Sequence, residues 1–187
     1  MRKVRIGVIG VGAVGIKMVQ VLKERNVPSK NIRLFGRSSR TTEIDGLIYQ
    51  VEAVSDGCFK DIDIALFAGT EGEKGAAVMY AEKAIQQGTV VIDNGADFRL
   101  KDWVPLVVPE VNAKAIKQHK GLIANPNCTT IQMVVALGGI QKQFKLSSVV
   151  LVSFQSVSGA GREGLTQLWE ESCAIVEKNR SAQVQDF

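Results

Sequence analysis

The stretch VRIGVIGVGAVG (residues 4–15) decides the fold. Val4 to Ile9 is a run typical of a buried strand. Gly10 to Gly15 follows at once as G-x-G-x-x-G, and a helical pattern continues to Leu22. Glycines between a strand and a helix are the context of a dinucleotide fingerprint, because they admit a pyrophosphate that the helix N-terminus binds. A glycine-rich turn without a ligand is the alternative. The candidate cofactor contacts are Gly10, Gly12, Ala13, Val14 and Gly15.

The second predicted strand, Asn31 to Phe35, leads into a basic turn. A site specific for NAD usually places an acidic residue here to hold the ribose 2′-hydroxyl. This chain instead has Gly36 followed by two arginines and two serines, and these groups suit a 2′-phosphate. The turn therefore predicts NADP as the cofactor, with a solvated basic turn as the alternative. The residues concerned are Arg37, Ser38, Ser39 and Arg40.

Strands and helices alternate along the middle of the chain. Asp63–Phe67 and Val90–Asp93 are typical of buried strands, Leu47–Val51 of a small strand, and Gly75–Gln87 has helical spacing that Gly88 ends. Such alternation predicts an α/β fold with a doubly wound, Rossmann-like parallel sheet and right-handed crossovers.

Ligands bind at the carboxyl ends of the strands in such a sheet. The segments that follow predicted strands should therefore lie along one edge and form an active site there. These segments are Gly10–Gly15, Gly36–Arg40, Gly69–Thr70, Asn94–Arg99 and Asn125–Cys128.

The last of these segments belongs to the stretch IANPNCTT (residues 123–130). Pro126 cannot continue a strand, and Asn127 is a good helix N-cap, so Cys128 is expected in the first turn of a helix. Free amides and the positive end of the helix dipole favour a thiolate there. Cys128 is thus a candidate nucleophile; a buried small hydrophobic residue is the alternative.

Between these elements, Leu106–Asn112 is predicted to be extended, and Asn112–Lys120 to be a short basic helix. His119 lies in that helix, nine residues before the cysteine and at the other end of the intervening strand. We therefore expect His119 to be a surface residue rather than a general base.

The hydrophobic pattern changes near Lys145. Ser148–Gln155 alternates as in a strand with one covered face, which marks the start of a second α+β domain. A glycine-rich turn (Ser158–Gly161), an amphipathic helix (Gly164–Lys178) and a polar tail (residues 179–187) are predicted to follow.

Composition excludes several classes of protein. The net charge of +4 is small and dispersed, which argues against nucleic acid as a partner. Three cysteines without a CxxC pair, together with one histidine, argue against a metal site and indicate a reduced, cytoplasmic setting. The sequence contains no apolar run of the length that spans a membrane.

Three motifs resemble the aspartate-semialdehyde dehydrogenase family. They are NPNCTT (125–130), VPLVVPEVN (104–112) and SVSGAG (156–161). The resemblance covers essentially the whole chain but only the first half of such an enzyme. It implies an NADP-binding domain over residues 1–127 and the beginning of a catalytic and dimerisation domain over residues 128–187.

The resemblance also implies roles for residues that match the family's motifs. Cys128 matches the catalytic cysteine, Asn127 a group that steadies the oxyanion, and Gln155 a residue that orients the substrate. Arg99 matches the arginine that binds phosphate or the acyl phosphate. The matching NADP contacts, besides the glycine and arginine turns, are Asn94, Ser158, Gly159 and Gly161.

Two features depart from the family pattern. The glycine turn is one residue shorter than usual, and Asn94–Arg99 reads NGADFR where NSSAFR is usual. ADFRL is similar to N-acetyl-glutamyl-phosphate reductase, which is the alternative enzyme. A binding module without catalysis is the alternative of a different class.

The activity implied is NADPH-dependent reduction of L-aspartyl-4-phosphate to L-aspartate-4-semialdehyde through a Cys128 thioester, with release of phosphate. It serves lysine, threonine, methionine and diaminopimelate biosynthesis in the cytoplasm. The family's histidine base and substrate-binding arginine come from a region beyond residue 187, as do most of its dimer contacts. We therefore expect a truncated chain that has little turnover by itself and that forms a homodimer when full length.

Overall fold

The fold is built around a sheet whose central strand, β1 (Ile6–Ile9), has all four residues buried. The computed structural model describes residues 4–69 and 72–185. The other six strands are β2 (Ile32–Gly36), β3 (Arg40–Ile44), β4 (Leu47–Ala53), β5 (Ile64–Phe67), β6 (Val90–Asp93) and β7 (Leu122–Ala124). They form one sheet in the order β3-β4-β2-β1-β5-β6-β7.

The sheet is parallel except at one edge. β1 pairs in parallel with β2 and β5, and the pairs β2–β4, β5–β6 and β6–β7 are parallel as well. Ile9 lies opposite Phe35 and Phe67, so the carboxyl ends of the three central strands are level. This arrangement confirms the predicted Rossmann-like α/β fold.

Strand β3 is an addition to the predicted strands. It pairs antiparallel with β4 through a two-residue turn, Asp45-Gly46, in which both residues have positive φ (50° and 74°). Asp-Gly is a strong signal for such a hairpin because the turn requires positive φ at both positions. An edge strand buries little of its surface and can therefore consist of polar residues. Because the residues of β3 are mostly polar, the hydrophobic pattern does not reveal the strand.

The described residues form five α-helices: α1 (Ala13–Glu24), α2 (Ala76–Gln86), α3 (Pro109–Asn112), α4 (Cys128–Phe144) and α5 (Gly161–Gln185). Helix α2 confirms the predicted helix and ends just before Gly88, which has φ of +86°. Among the helices that the structure describes, none is both long and apolar enough to cross a membrane.

The core lies on both faces of the sheet because successive strand residues point to opposite sides. Ile9, Phe35 and Phe67 pack on one face with small residues of α2. Val8 and Leu34 pack on the other face with α1. Helices on both faces are the arrangement that the alternating pattern predicts, and they leave the carboxyl ends of the strands for the connecting loops.

The segment before β7 is only partly as predicted. Pro105 and Val107 run alongside β7 through hydrogen bonds with Ala124 of 3.0 and 2.9 Å, so this part is extended as expected. The prediction of an extended chain is wrong for α3, where Pro109 stands in the first helical turn, a position that suits its fixed φ and missing N–H. A 3-10 helix, Ala113–Gln118, follows where a basic helix is predicted.

The chain divides into two compact units, residues 1–146 and 147–187. The division falls near the change of pattern at Lys145 and leaves α4 with the sheet. The assignment of residues 1–127 and 128–187 to an NADP-binding and a catalytic domain concerns function and stays a prediction.

The second unit differs from its prediction in two ways. The strand prediction for Ser148–Gln155 is wrong, because these residues form no strand in the described chain. A strand needs a neighbouring strand for its backbone hydrogen bonds, and Val150 and Phe154 are 97% and 98% exposed. The predicted polar tail is also wrong as far as Gln185, since α5 continues to that residue; the remaining two residues lie outside the described chain.

Candidate functional site

Two glycines of the first turn are required by packing. Gly10 has φ of +97°, and a Cβ there would lie 2.8 Å from the backbone of Ala68 and Gly69. A Cβ at Gly15 would overlap the carbonyl oxygen of Gly10. These two glycines therefore let β1, α1 and the loop after β5 approach closely, whether or not a ligand binds.

Gly12 is different because packing does not require it. Its φ of −94° is open to any residue, and no atom of the described chain lies within 4 Å of where its Cβ would stand. Gly12 is the N-cap of α1, and Ala13 and Val14 in the first turn are exposed. The turn therefore presents open space in front of helix amides that no capping side chain of Gly12 occupies. A pyrophosphate fits such a place.

The glycine turn Gly10–Gly15 and the open space before the amides of α1 are called the cofactor cradle below. The basic turn after β2 lies next to this cradle. Arg40 Nη2 donates to the carbonyl oxygen of Val11 at 3.5 Å, which brings a guanidinium to the edge of the glycine turn. The Ser39 hydroxyl accepts a hydrogen bond from Ala53 N at 3.1 Å and so shapes the turn itself. Arg37 and Ser38 are exposed. The structure thus brings the two predicted cofactor turns together at one edge of the sheet.

The loops after β6 and β7 are joined by Arg99. Its Nε donates to the carbonyl oxygen of Asn125 and its Nη2 to that of Asn94, both at 3.0 Å. The side chains of Asn125 and Asn94 form a further hydrogen bond of 2.9 Å. Asn125 is absent from the residues predicted individually, although its place directly after a buried strand is the signal that could identify it.

Cys128 begins α4 as predicted. The Asn127 side chain accepts a hydrogen bond from Thr129 N at 2.9 Å and caps the helix. The Cys128 side chain is exposed, and its Sγ lies 4.0 Å from Asn127 Oδ1. Burial, in contrast, raises the pKa of the Cys58 thiol, which packs against the core. An exposed thiol at a capped helix N-terminus is the arrangement expected of a nucleophile.

His119 lies at the opposite end of β7 from Cys128. It is half-buried, and its Nδ1 accepts a hydrogen bond from Gly121 N at 3.0 Å, just before the strand begins. The strand therefore separates the imidazole from the thiol. The imidazole is less exposed than the surface residue that the sequence predicts, and it lies at the end of the strand where the prediction places it.

The other predicted site residues belong to the second unit. A Cβ at Gly159 would overlap the side-chain amide of Gln155, so these two residues are in contact there. The Ser158 hydroxyl donates to that of Ser156 at 3.0 Å, and Gly161 has φ of +77° where α5 begins. Thr70, from the predicted edge segment Gly69–Thr70, lies outside the described residues.

A family model and curated relatives indicate one family. Residues 5–119 match the family model described as semialdehyde dehydrogenase, NAD binding domain. The chain is 40% identical to aspartate-semialdehyde dehydrogenase of Bacillus subtilis over 181 residues, which cover 95% of the chain and 51% of that relative. The Campylobacter jejuni enzyme of the same name is 42% identical over 179 residues, with coverage of 90% and 51%.

A solved structure is similar as well. Aspartate-semialdehyde dehydrogenase II of Vibrio cholerae, complexed with ASA, matches with a TM-score of 0.85 and 35% identity. The match covers 95% of this chain and 54% of that one. The chain therefore spans about half the length of the curated relatives that it matches.

Proposed function

The chain belongs to the semialdehyde dehydrogenase family, and from this membership we propose that it carries the cofactor-binding and cysteine-bearing part of an NADP-dependent aspartate-semialdehyde dehydrogenase. The observation that carries the proposal is the arrangement of one sheet edge. Three features follow strands of a single sheet there. They are an open glycine turn, a basic turn, and an exposed cysteine at the capped N-terminus of a helix.

The proposed reaction converts L-aspartyl-4-phosphate to L-aspartate-4-semialdehyde and phosphate, as a step of amino-acid biosynthesis. The Cys128 thiolate attacks the acyl carbon, the bond from that carbon to the phosphate oxygen breaks, and a thioester forms on the sulfur. When NADPH is bound it would supply the hydride that reduces this thioester. Collapse of the resulting hemithioacetal releases the aldehyde and returns the thiolate.

The residues around Cys128 support the roles assigned to them. Asn127 stands beside the sulfur, and the N–H groups of its side-chain amide would help to hold the oxyanion, together with first-turn amides other than Thr129 N, which the Asn127 oxygen already engages. Arg99 is held by two backbone carbonyl groups, and only some of its five N–H groups are needed for these bonds. Its positive charge would then offset the negative charge of the departing phosphate.

The basic turn supports NADP over NAD. Arg40 is held at the margin of the glycine turn, and the segment from Gly36 to Arg40 contains no carboxylate that would repel a 2′-phosphate. We propose that Arg37 and Arg40 bind this phosphate, with Ser38 and Ser39 lining the turn. Asn94, Ser158, Gly159 and Gly161 are proposed as further cofactor contacts, and Gln155 as a substrate contact. The homodimer and the cytoplasmic location stay predictions.

The first half of the reaction can be tested without hydride transfer. The chain is mixed with L-aspartyl-4-phosphate, and mass spectrometry then locates any aspartyl group while released phosphate is measured. We expect an adduct on Cys128 and none in Cys128→Ser. Faster acylation by N-acetyl-glutamyl phosphate would favour the alternative enzyme.

Alkylation of the cysteines tests whether the chain is a binding module without catalysis. We expect iodoacetamide to modify Cys128 much faster than Cys58, because a partly buried thiol with a raised pKa is mostly protonated and shielded. Bound NADP should change the rate at Cys128 and leave Cys58 unaffected. Equal, slow modification of all three cysteines, together with NADPH binding, would indicate a non-catalytic module.

A further inference from the structure

Asp97 contacts a loop other than its own. It belongs to the loop after β6 that also holds Asn94 and Arg99, yet its two carboxylate oxygens accept hydrogen bonds from Gly72 N at 3.0 and 3.3 Å. Gly72 has φ of +87°, and its carbonyl oxygen accepts a hydrogen bond of 2.7 Å from Gly75 N. The carboxylate is therefore hydrogen-bonded to a tight turn that leads directly into α2.

The loop after β5, to which Gly72 belongs, borders the cofactor cradle. Its first residues, Ala68 and Gly69, are those that a Cβ at Gly10 would strike at 2.8 Å. Gly69 in turn lies so close to α2 that its own Cβ would stand 2.9 Å from that of Ala76. A shift at the start of α2 would consequently be felt at Gly69 and, through Gly69, at the first glycine of the cradle, since these groups are in close contact.

The loop that carries Asp97 leads to the nucleophile. Three and two residues away, Asn94 and Arg99 are hydrogen-bonded to Asn125, which precedes Cys128 by three residues. Asp97 thus stands between two groups of contacts. One group surrounds the glycine turn, and the other holds the loop that ends in the cysteine.

We propose that Asp97 is a positioning residue that fixes the Gly72 turn at the start of α2 against the loop after β6 and so holds the cofactor cradle in register with Cys128. The proposal rests on the proposed function, since it supposes that the cradle binds NADP. Asp97 itself touches neither the cradle nor the cysteine in the contacts described. It acts through Gly72, and an acceptor of hydrogen bonds at this position is what the role requires.

Substitutions test the role through nucleotide affinity. Asp97→Ala removes both acceptors, Asp97→Asn keeps one, and Asp102→Ala removes an exposed carboxylate of the same segment as a matched control. We expect Asp97→Ala to raise the Kd for NADPH about fivefold or more at an unchanged melting temperature. Asp97→Asn should stay within about twofold of the unmodified chain, as should the control. Unchanged affinity in Asp97→Ala would overturn the proposal, and so would equal weakening in the Asn variant.

A second measurement uses only the unmodified chain, so it does not depend on whether a variant folds. Hydrogen exchange of the Gly72 amide is followed by NMR in the unmodified chain with and without NADP. We expect slow exchange that NADP slows further. Exchange at the rate of an open amide would refute the tie to Asp97. If the unmodified chain binds no NADPH, the proposed function fails, and the Gly72 exchange rate still decides whether Asp97 holds the loop.

Discussion

Alanine substitutions at two glycines of the same turn should affect different properties, NADPH affinity at Gly12 and stability at Gly15. In Gly12→Ala the new methyl group meets no atom of the described chain within 4 Å, and φ of −94° suits any residue. In Gly15→Ala the methyl overlaps the carbonyl oxygen of Gly10. The first substitution therefore tests the ligand site alone, and the second tests the contact between β1 and α1.

The magnitudes follow from these contacts. For Gly12→Ala, the entropy removed from the unfolded chain stabilises by about 0.4–1 kcal/mol, and the poorer N-cap costs a similar amount. The free energy of unfolding should thus change by less than about 1 kcal/mol. For Gly15→Ala, two backbone segments must separate, and we expect a loss of about 2 kcal/mol. NADPH affinity of Gly12→Ala should fall at least about tenfold, or roughly 1.4 kcal/mol, because the methyl group occupies the space of the pyrophosphate.

Urea denaturation and a fluorescence titration with NADPH measure the two quantities separately. Gly12→Ala should keep the stability of the unmodified chain and lose binding. NADPH binding by Gly12→Ala with unchanged affinity would show that the pyrophosphate lies elsewhere, and the cradle would have to be abandoned. A Gly15→Ala variant as stable as the unmodified chain would refute the packing reasoning.

Three further predictions concern the cap, a surface ion pair and turnover. Asn127→Ala should lower the free energy of unfolding by about 1 kcal/mol in urea and Asn127→Ser much less, because serine can still cap α4; equal losses would contradict this role. Hydrogen bonds from Arg33 lower the pKa of Glu52, so the pair stabilises above the ordinary glutamate pKa and this contribution disappears as the pH falls through the lowered value. Since the two side chains are 38% and 45% exposed, the difference in stability from Glu52→Gln should stay under about 1 kcal/mol and shrink as the pH falls below the ordinary glutamate pKa; a difference independent of pH would be inconsistent with the pair. We expect the 187-residue chain to oxidise little NADPH over many turnovers with L-aspartyl-4-phosphate, and sustained turnover would contradict the need for a further acid or base.

Much of the fold was open to prediction because the signals are local. The strand, glycine turn and helix of residues 4–24 follow one another without interruption, and Gly88 ends α2 where the pattern indicates. The start of α4 at Cys128 follows from Pro126 and Asn127 in the same way. Turn and cap preferences depend on neighbouring residues, so they can be read before the chain is folded.

The predictions that failed depend on distant partners. Residues 148–155 have the alternation of a strand, but a strand forms only where another strand takes its hydrogen bonds, and none does so in the described chain. Strand β3 escapes prediction for a different reason, because its partner is adjacent in the chain. Its pairing with β4 comes from the hairpin turn, and its polar residues carry no hydrophobic signal.

The sequence by itself determined the alternating strands and helices of the parallel sheet, the glycine turn after β1 and the position of Cys128 at the start of a helix. Only the tertiary structure decided which loops touch. It joins Arg99 to Asn125 and Asp97 to Gly72 across 26 and 25 residues of chain. Side-chain hydrogen bonds of this kind depend on the approach of two strand ends in space, and no local preference specifies which partner a side chain will meet.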